Sequence, residues 1–215
     1  MLYPLVYSEI PEFDLVKALN NGLMPRHYLS ANPKKLIEAY LGNYLRDEII
    51  AEAKIRNVAA FSRFLEAAAF SNGEIVNYLP KFYYFDLGIA NYMLKRGKIE
   101  MGSESFGSAF EHFIFQELYA HSRYSGLDYL ISFWRTSSQI EVDFILGNHE
   151  VAIEVKGTDT IQARHLTGLK SFAEEYAVKK LIVVSNDPIE RKIGDIQVMP
   201  WTLFLEKLWS GEIVD

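Results

Sequence analysis

The chain has 215 residues, 49% hydrophobic and 23% charged, with a formal net charge of −6, which places it among globular rather than disordered sequences. It has no cysteine, which excludes disulfides and thiolate metal sites, and its five scattered histidines lack zinc-ligand spacing, so any metal would be held by oxygen. No apolar run is long enough to span a membrane, the start "MLYPLVYSEI" lacks a secretory pattern, and no G-x-x-x-x-G-K-[ST] occurs; the expectation is a cytoplasmic chain with no membrane partner and no ATP.

The first third reads as helices. "PEFDLVKALNNG" carries an apolar stripe that stops at Asn-Asn-Gly. "ANPKKLIEAYLGNYLRDEII" opens with Asn32 as a cap and Pro33 in the first turn, and repeats Leu36, Ile37, Tyr40, Leu41, Tyr44 and Leu45 at helical spacing. "NVAAFSRFLEAAAFSNG" predicts a third helix. Past Tyr78 the pattern changes: "KFYYFDLG" reads as a strand and turn, "IANYMLK" as a short helix and "FGSAFEHFIFQELYAHSR" as a long amphipathic one. "LISFWRT", "IEVDFIL" and "VAIEVKG" then form a three-strand meander, followed by a helix in "ARHLTGLKSFAEEYA", strands in "KLIVVSND" and "IQVMP", and a last helix in "WTLFLEKLW". Strands mixed with helices predict an α/β domain with a mixed sheet, its boundary near Pro80.

The stretch "EVDFILGNHEVAIEVKG" places charges where a buried sheet should have none. Strict alternation puts Val142, Phe144 and Leu146 on one face and Glu141, Asp143 and Ile145 on the other, with Ala152, Glu154 and Lys156 sharing a face of the next strand. A loop of two or four residues around "GNHE" sets Asp143 opposite Glu154 and Glu141 opposite Lys156. Two like charges roughly 5 Å apart repel by about 3 kcal/mol at an effective dielectric near 20. A divalent cation reverses that sign, because paired carboxylates plus water are what Mg²⁺ takes from a protein. The plainer reading is a solvated face with a Glu141–Lys156 ion pair and two hydrated carboxylates beside it. On the preceding helix, Glu111 and Glu117 point about 240° apart, so at most one faces the hairpin. Glu111 is the choice and Glu117, set among aromatics, the rival.

An Asp on one strand and Glu-x-Lys on the next, after a helix bearing a Glu, resembles the PD-(D/E)xK nuclease-like superfamily. In context, "KFYYFDLGIANYML", "FGSAFEHFIFQEL", "FWRTSSQIEVDFIL" and "AIEVKG" resemble the C-terminal domain, of unknown function, of a family of bacterial and archaeal AAA+-type ATPases. "YLGNYLRDEI" is similar to the segment joining that family's ATPase core to its C-terminal domain. The P-loop core is missing from the sequence, as is the winged-helix-like insertion the family carries before its "K.YFFD" strand, so ATP hydrolysis does not carry over.

The resemblance implies a restriction-endonuclease-like mixed sheet flanked by helices over residues 81–215, after a helical segment at 1–80. It implies a metal-dependent domain that hydrolyses or binds DNA, or a non-catalytic module regulating an ATPase. Asp143, Glu154 and Glu111 would hold Mg²⁺ or Mn²⁺, and Lys156 would complete the catalytic set with them. Arg135, Arg164 and His165 would touch the DNA backbone, and the N-terminal helices would meet an ATPase partner or a second copy.

Overall fold

Aliphatic runs bounded by turns build the centre of this computed structural model, which describes residues 3–43, 64–66, 68–69, 72 and 81–214. The chain forms two compact units, one comprising Met1–Leu5 and Glu12–Glu100, the other Val6–Pro11 and Met101–Asp215. The expected boundary at Pro80 lies outside the described residues, as does most of the predicted third helix; residues 64–66 and 68–69 of it are helical.

In the first unit, α1 (Leu15–Asn21), α2 (Pro25–Tyr28), α3 (Pro33–Asn43) and α4 (Leu87–Met93) pack together. Asp14 caps α1 by accepting from the Lys17 N–H at 2.9 Å. The "KFYYFDLG" strand is a correction. Lys81 and Phe82 make only isolated bridges, Phe82 with Asn72, and the Tyr84 N–H goes to Asn72 Oδ1 at 2.8 Å instead of into a ladder. The chain's path beyond this point is set by Asp86, fully buried, which caps α4 through the Ile89 N–H (3.1 Å) and also takes the Leu23 and Met24 N–H groups at 2.7 and 3.1 Å. Burial pushes its carboxyl up, while these backbone donors and His27 pull it down.

The second unit is a six-stranded mixed sheet flanked by helices. In chain order it contains a 3₁₀ turn (Tyr7–Glu9), α5 (Glu104–Tyr124), β1 (Ile131–Arg135), β2 (Glu141–Leu146) and β3 (Val151–Lys156). A 3₁₀ turn (Ala163–Leu166) leads into α6 (Thr167–Glu175), then β4 (Lys180–Ser185), β5 (Arg191–Ile193), β6 (Ile196–Pro200) and α7 (Trp201–Trp209). Strand order is β1-β2-β3-β4-β6-β5, with β3, β4 and β6 parallel and the outer pairings antiparallel. β2 and β3 are buried almost end to end, as strands covered on both faces must be. On one face Leu169 and Phe172 of α6 pack on Ile145, Ala152 and Val183. On the other, α5 lies against β3 and α7, with Phe115 beside Phe144.

The four-residue turn 147–150 gives the register expected from "GNHE", Phe144 facing Ile153 and Leu146 facing Val151; Gly147 and His149 take positive φ. Strict alternation along β2 does not hold. Ser132 pairs with Ile145 but Trp134 with Val142, so β2 carries one extra residue between Val142 and Ile145. This β-bulge puts Val142 in the same core cluster as Ile145 rather than opposite it, and it falls on Asp143 and Phe144.

Two glycines set the helix approaches. A Cβ at Gly168 would lie 2.0 Å from the Glu141 carbonyl oxygen, and one at Gly157 would lie 2.8 Å from Phe106. Gly168→Ala should therefore cost about 1–3 kcal/mol by forcing α6 off β2. Gly107→Ala, with open space at its Cβ on α5, should be neutral or gain about 0.5–1 kcal/mol. Urea unfolding of both variants checks this, and equal midpoints would mean that α6 does not rest on Glu141.

Candidate metal centre

Beyond Phe144–Ile153 the regular β2–β3 pairs stop, and a side chain replaces the ladder: Asp143 Oδ2 accepts the Val155 N–H at 2.8 Å. The bulge makes this reach possible, since it re-aims the residue at the point where the strands part. Glu154 Oε1 lies 2.5 Å from Lys156 Nζ, and Asp143 Oδ2 lies 3.9 Å from the same ammonium. Among the described residues, the buried Glu154 Oε2 has no hydrogen-bond partner.

Both carboxylates are nearly inaccessible, Asp143 at 4% and Glu154 at 5% exposure, so the solvated-face reading fails. Its ion pair fails too. Lys156 turns to Asp143 and Glu154, while Glu141 lies 3.9 Å from Arg135 Nε, its cross-strand partner on β1. Burial pushes the Glu154 carboxyl up to about 8; Asp143 and Glu141 push the same way and Lys156 opposes. For Lys156, burial lowers the ammonium, but Asp143, Glu154 and Glu111 outweigh it and the net shift is upward. At neutral pH the Lys156 ammonium thus faces the Asp143–Glu154 pair, with Glu154 held largely protonated.

Glu111, half-buried on α5, lies close enough to act on Lys156. Its rival Glu117 is elsewhere, buried and accepting the Tyr7 N–H at 2.7 Å and the Trp209 Nε1–H at 2.9 Å, and burial pushes it up to about 7. His165, half-buried in the 3₁₀ turn, is also in electrostatic reach: burial lowers its value first, then Arg164 and Lys156. Arg164 is exposed and donates from Nε to His165 Nε2 at 3.2 Å. Arg135 is exposed, with Glu141 and the Gln139 side chain as its partners.

Asn186 is a polar residue of this region that the sequence pattern does not single out. It follows β4, whose Ser185 is level with Lys156, and its Nδ2 donates to the Gly157 carbonyl at 3.2 Å while its buried Oδ1 has no partner among the described residues. The available signal is its place just past a parallel strand's carboxyl end, where polar groups collect in open α/β sheets.

The donor set suits a hard cation taking oxygen. Two carboxylates converge, one carboxylate oxygen is orphaned, and the Val155 carbonyl belongs to the same strand end. Among the described residues no group of three acidic or histidine side chains is close enough to ligate one ion, so Glu111 is not brought into a common shell with Asp143 and Glu154. Water would complete the coordination, which is ordinary for Mg²⁺.

Glu154 and Glu117 both titrate above the ordinary 4.5 in the folded chain. Each therefore contributes stability that is complete below about 4.5 and is lost as pH rises through about 8 for Glu154 and about 7 for Glu117. Urea unfolding should show wild-type stability falling between about pH 5 and 9, with Glu154→Gln flattening the upper part of the fall. A flat wild-type profile would be incompatible with both raised values.

Residues 106–204, just under half the chain, match a family described as Domain of unknown function (DUF4143). No curated protein and no solved structure matches the chain. The matched span carries Glu111, Asp143, Glu154 and Lys156 together, and over that span the chain is similar to a family whose function is not described.

Proposed function

We propose that the second unit is a metal-dependent nuclease-like domain acting on DNA, derived from or allied to an AAA+ ATPase. The observation that carries this reading is the buried Asp143–Glu154 pair at the parted strand ends, with Glu154 Oε2 lacking a partner among the described residues. A bound Mg²⁺ or Mn²⁺ would neutralise a phosphodiester and lower the pKa of a coordinated water. Asp143 and Glu154 would hold it, Asp143 being fixed in place by the Val155 N–H. Lys156, already on the same strand and poised between both carboxylates, would orient the attacking water or stabilise charge developing on the phosphorane. Glu111 would act on that ammonium from α5, His165 and Arg164 would meet the DNA backbone on the α6 side, and Arg135 would meet it from β1.

The second reading is a non-catalytic module that regulates or tethers an ATPase, with the first unit meeting that partner or another copy. It is favoured by Lys156 itself, which sets an ammonium against both acidic side chains without any metal. The readings diverge in calorimetry. If the centre takes metal, Mn²⁺ binding near pH 7 should displace about one proton, from Glu154, seen as a dependence of the heat on buffer ionisation enthalpy. Binding should vanish in Asp143→Asn.

Lys156→Met separates the roles further. Removing a neighbouring ammonium should tighten Mn²⁺ binding, while plasmid cleavage falls by about 10²–10³-fold. No Mn²⁺ binding to the wild type would leave the regulatory module; binding without cleavage of single- or double-stranded DNA would remove the nuclease reading and keep the metal.

A further inference from the structure

The first unit contains a cavity lined by its own residues alone. A Cβ at Gly88 would lie 2.4 Å from the Asn21 carbonyl oxygen, so the start of α4 meets the end of α1 backbone to backbone. With α3 packed on α4, a cavity of about 580 Å³ opens between α1, α3 and the segment after α4, a volume in the range of small-molecule sites.

Its wall is cationic in a chain whose net charge is −6: Lys17, Lys34, Arg96 and Lys98 line it against one carboxylate, Asp14. Asp14 is committed to capping α1. Lys98 is held by Glu100 at 3.0 Å and Lys17 lies over the Tyr28 ring at 4.5 Å. That leaves two cations. Arg96 is half-buried, and among the described residues its guanidinium meets only the neutral Asn91 Oδ1, at 3.3 Å. Lys34 is exposed at the rim and, among the described residues, has no ion pair there. Burial pulls the Arg96 value down with no carboxylate to offset it.

A guanidinium withdrawn from water without an anion is an unmet electrostatic cost, and a ligand anion relieves it. Val16 and Ile37 supply apolar wall to the same cavity. Going beyond the reading of the second unit and independent of it, we infer that this cavity binds a small phosphate ester, the phosphate on Arg96 and Lys34 and the organic body against Val16 and Ile37.

Titration calorimetry on the full chain tests this with three probes: phenyl phosphate, inorganic phosphate and benzyl alcohol. Phenyl phosphate should bind most tightly, inorganic phosphate more weakly and benzyl alcohol weakest. Arg96→Gln and Lys34→Gln should each weaken phenyl phosphate by about tenfold or more. Lys179→Gln, which alters a lysine paired with Glu150 in the second unit, should leave it unchanged. Lys34 is exposed, so its variant decides the matter if Arg96→Gln melts early. No heat with phenyl phosphate, equal affinity in wild type and Lys34→Gln, or benzyl alcohol binding as tightly as phenyl phosphate would overturn the assignment.

Discussion

The second unit depends on one substitution in a hydrogen-bond ladder: a carboxylate oxygen of Asp143 stands where a backbone carbonyl would, holding the Val155 N–H at 2.8 Å after the regular pairing of β2 and β3 has ended. Were the strands to part with nothing in that place, a buried donor would be orphaned at a cost of about 1–3 kcal/mol. The carboxylate satisfies it and brings a charge into the sheet, which calls for a cation. Lys156 answers that need in the chain as it stands, and the same geometry leaves a Glu154 oxygen open to another. Local folding and site chemistry are here one arrangement.

Much of this was legible because it rests on short-range rules. The hairpin register came from turn length, which cannot change by one residue without turning every side chain to the other face. The strand in "IQVMP" and the helix in "WTLFLEKLW" came from apolar runs and match β6 and α7. What escaped has an identifiable cause. The bulge at Asp143 leaves no mark in a sequence that alternates perfectly well without it; it becomes visible only through β1, a long-range partner. β5 spans three residues, Arg191–Ile193, with two cations and no apolar run, and is defined by pairing with β6 alone.

Asp86 and Glu117 show the same limit from another side. An aromatic run before Asp86 reads as a strand, yet one of the residue's two carboxylate oxygens is used by donors more than sixty positions earlier. Glu117, set among aromatics, looks like a site residue by burial; its two acceptors are used by Tyr7 and Trp209, from opposite ends of the sequence. A buried carboxylate marks a place where the backbone or a ring needs an acceptor at least as often as it marks chemistry, and only its partners tell the two apart.

Glu117 also bears on how the unit comes together. The Val6–Pro11 segment belongs with residues 101–215, while Glu12–Glu100 forms the other unit, so the sheet domain is written in two pieces around an insertion. Tyr7 supplies both the N–H that Glu117 accepts and a ring set edge-on to Trp201 at 5.7 Å, and Trp209 on the same final helix supplies the second donor. During synthesis Trp201 and Trp209 follow Tyr7 only after most of this sequence has been made. The early segment must wait for these distant residues, a long-range closure whose entropy cost grows only slowly with the length between and which slows completion of this core.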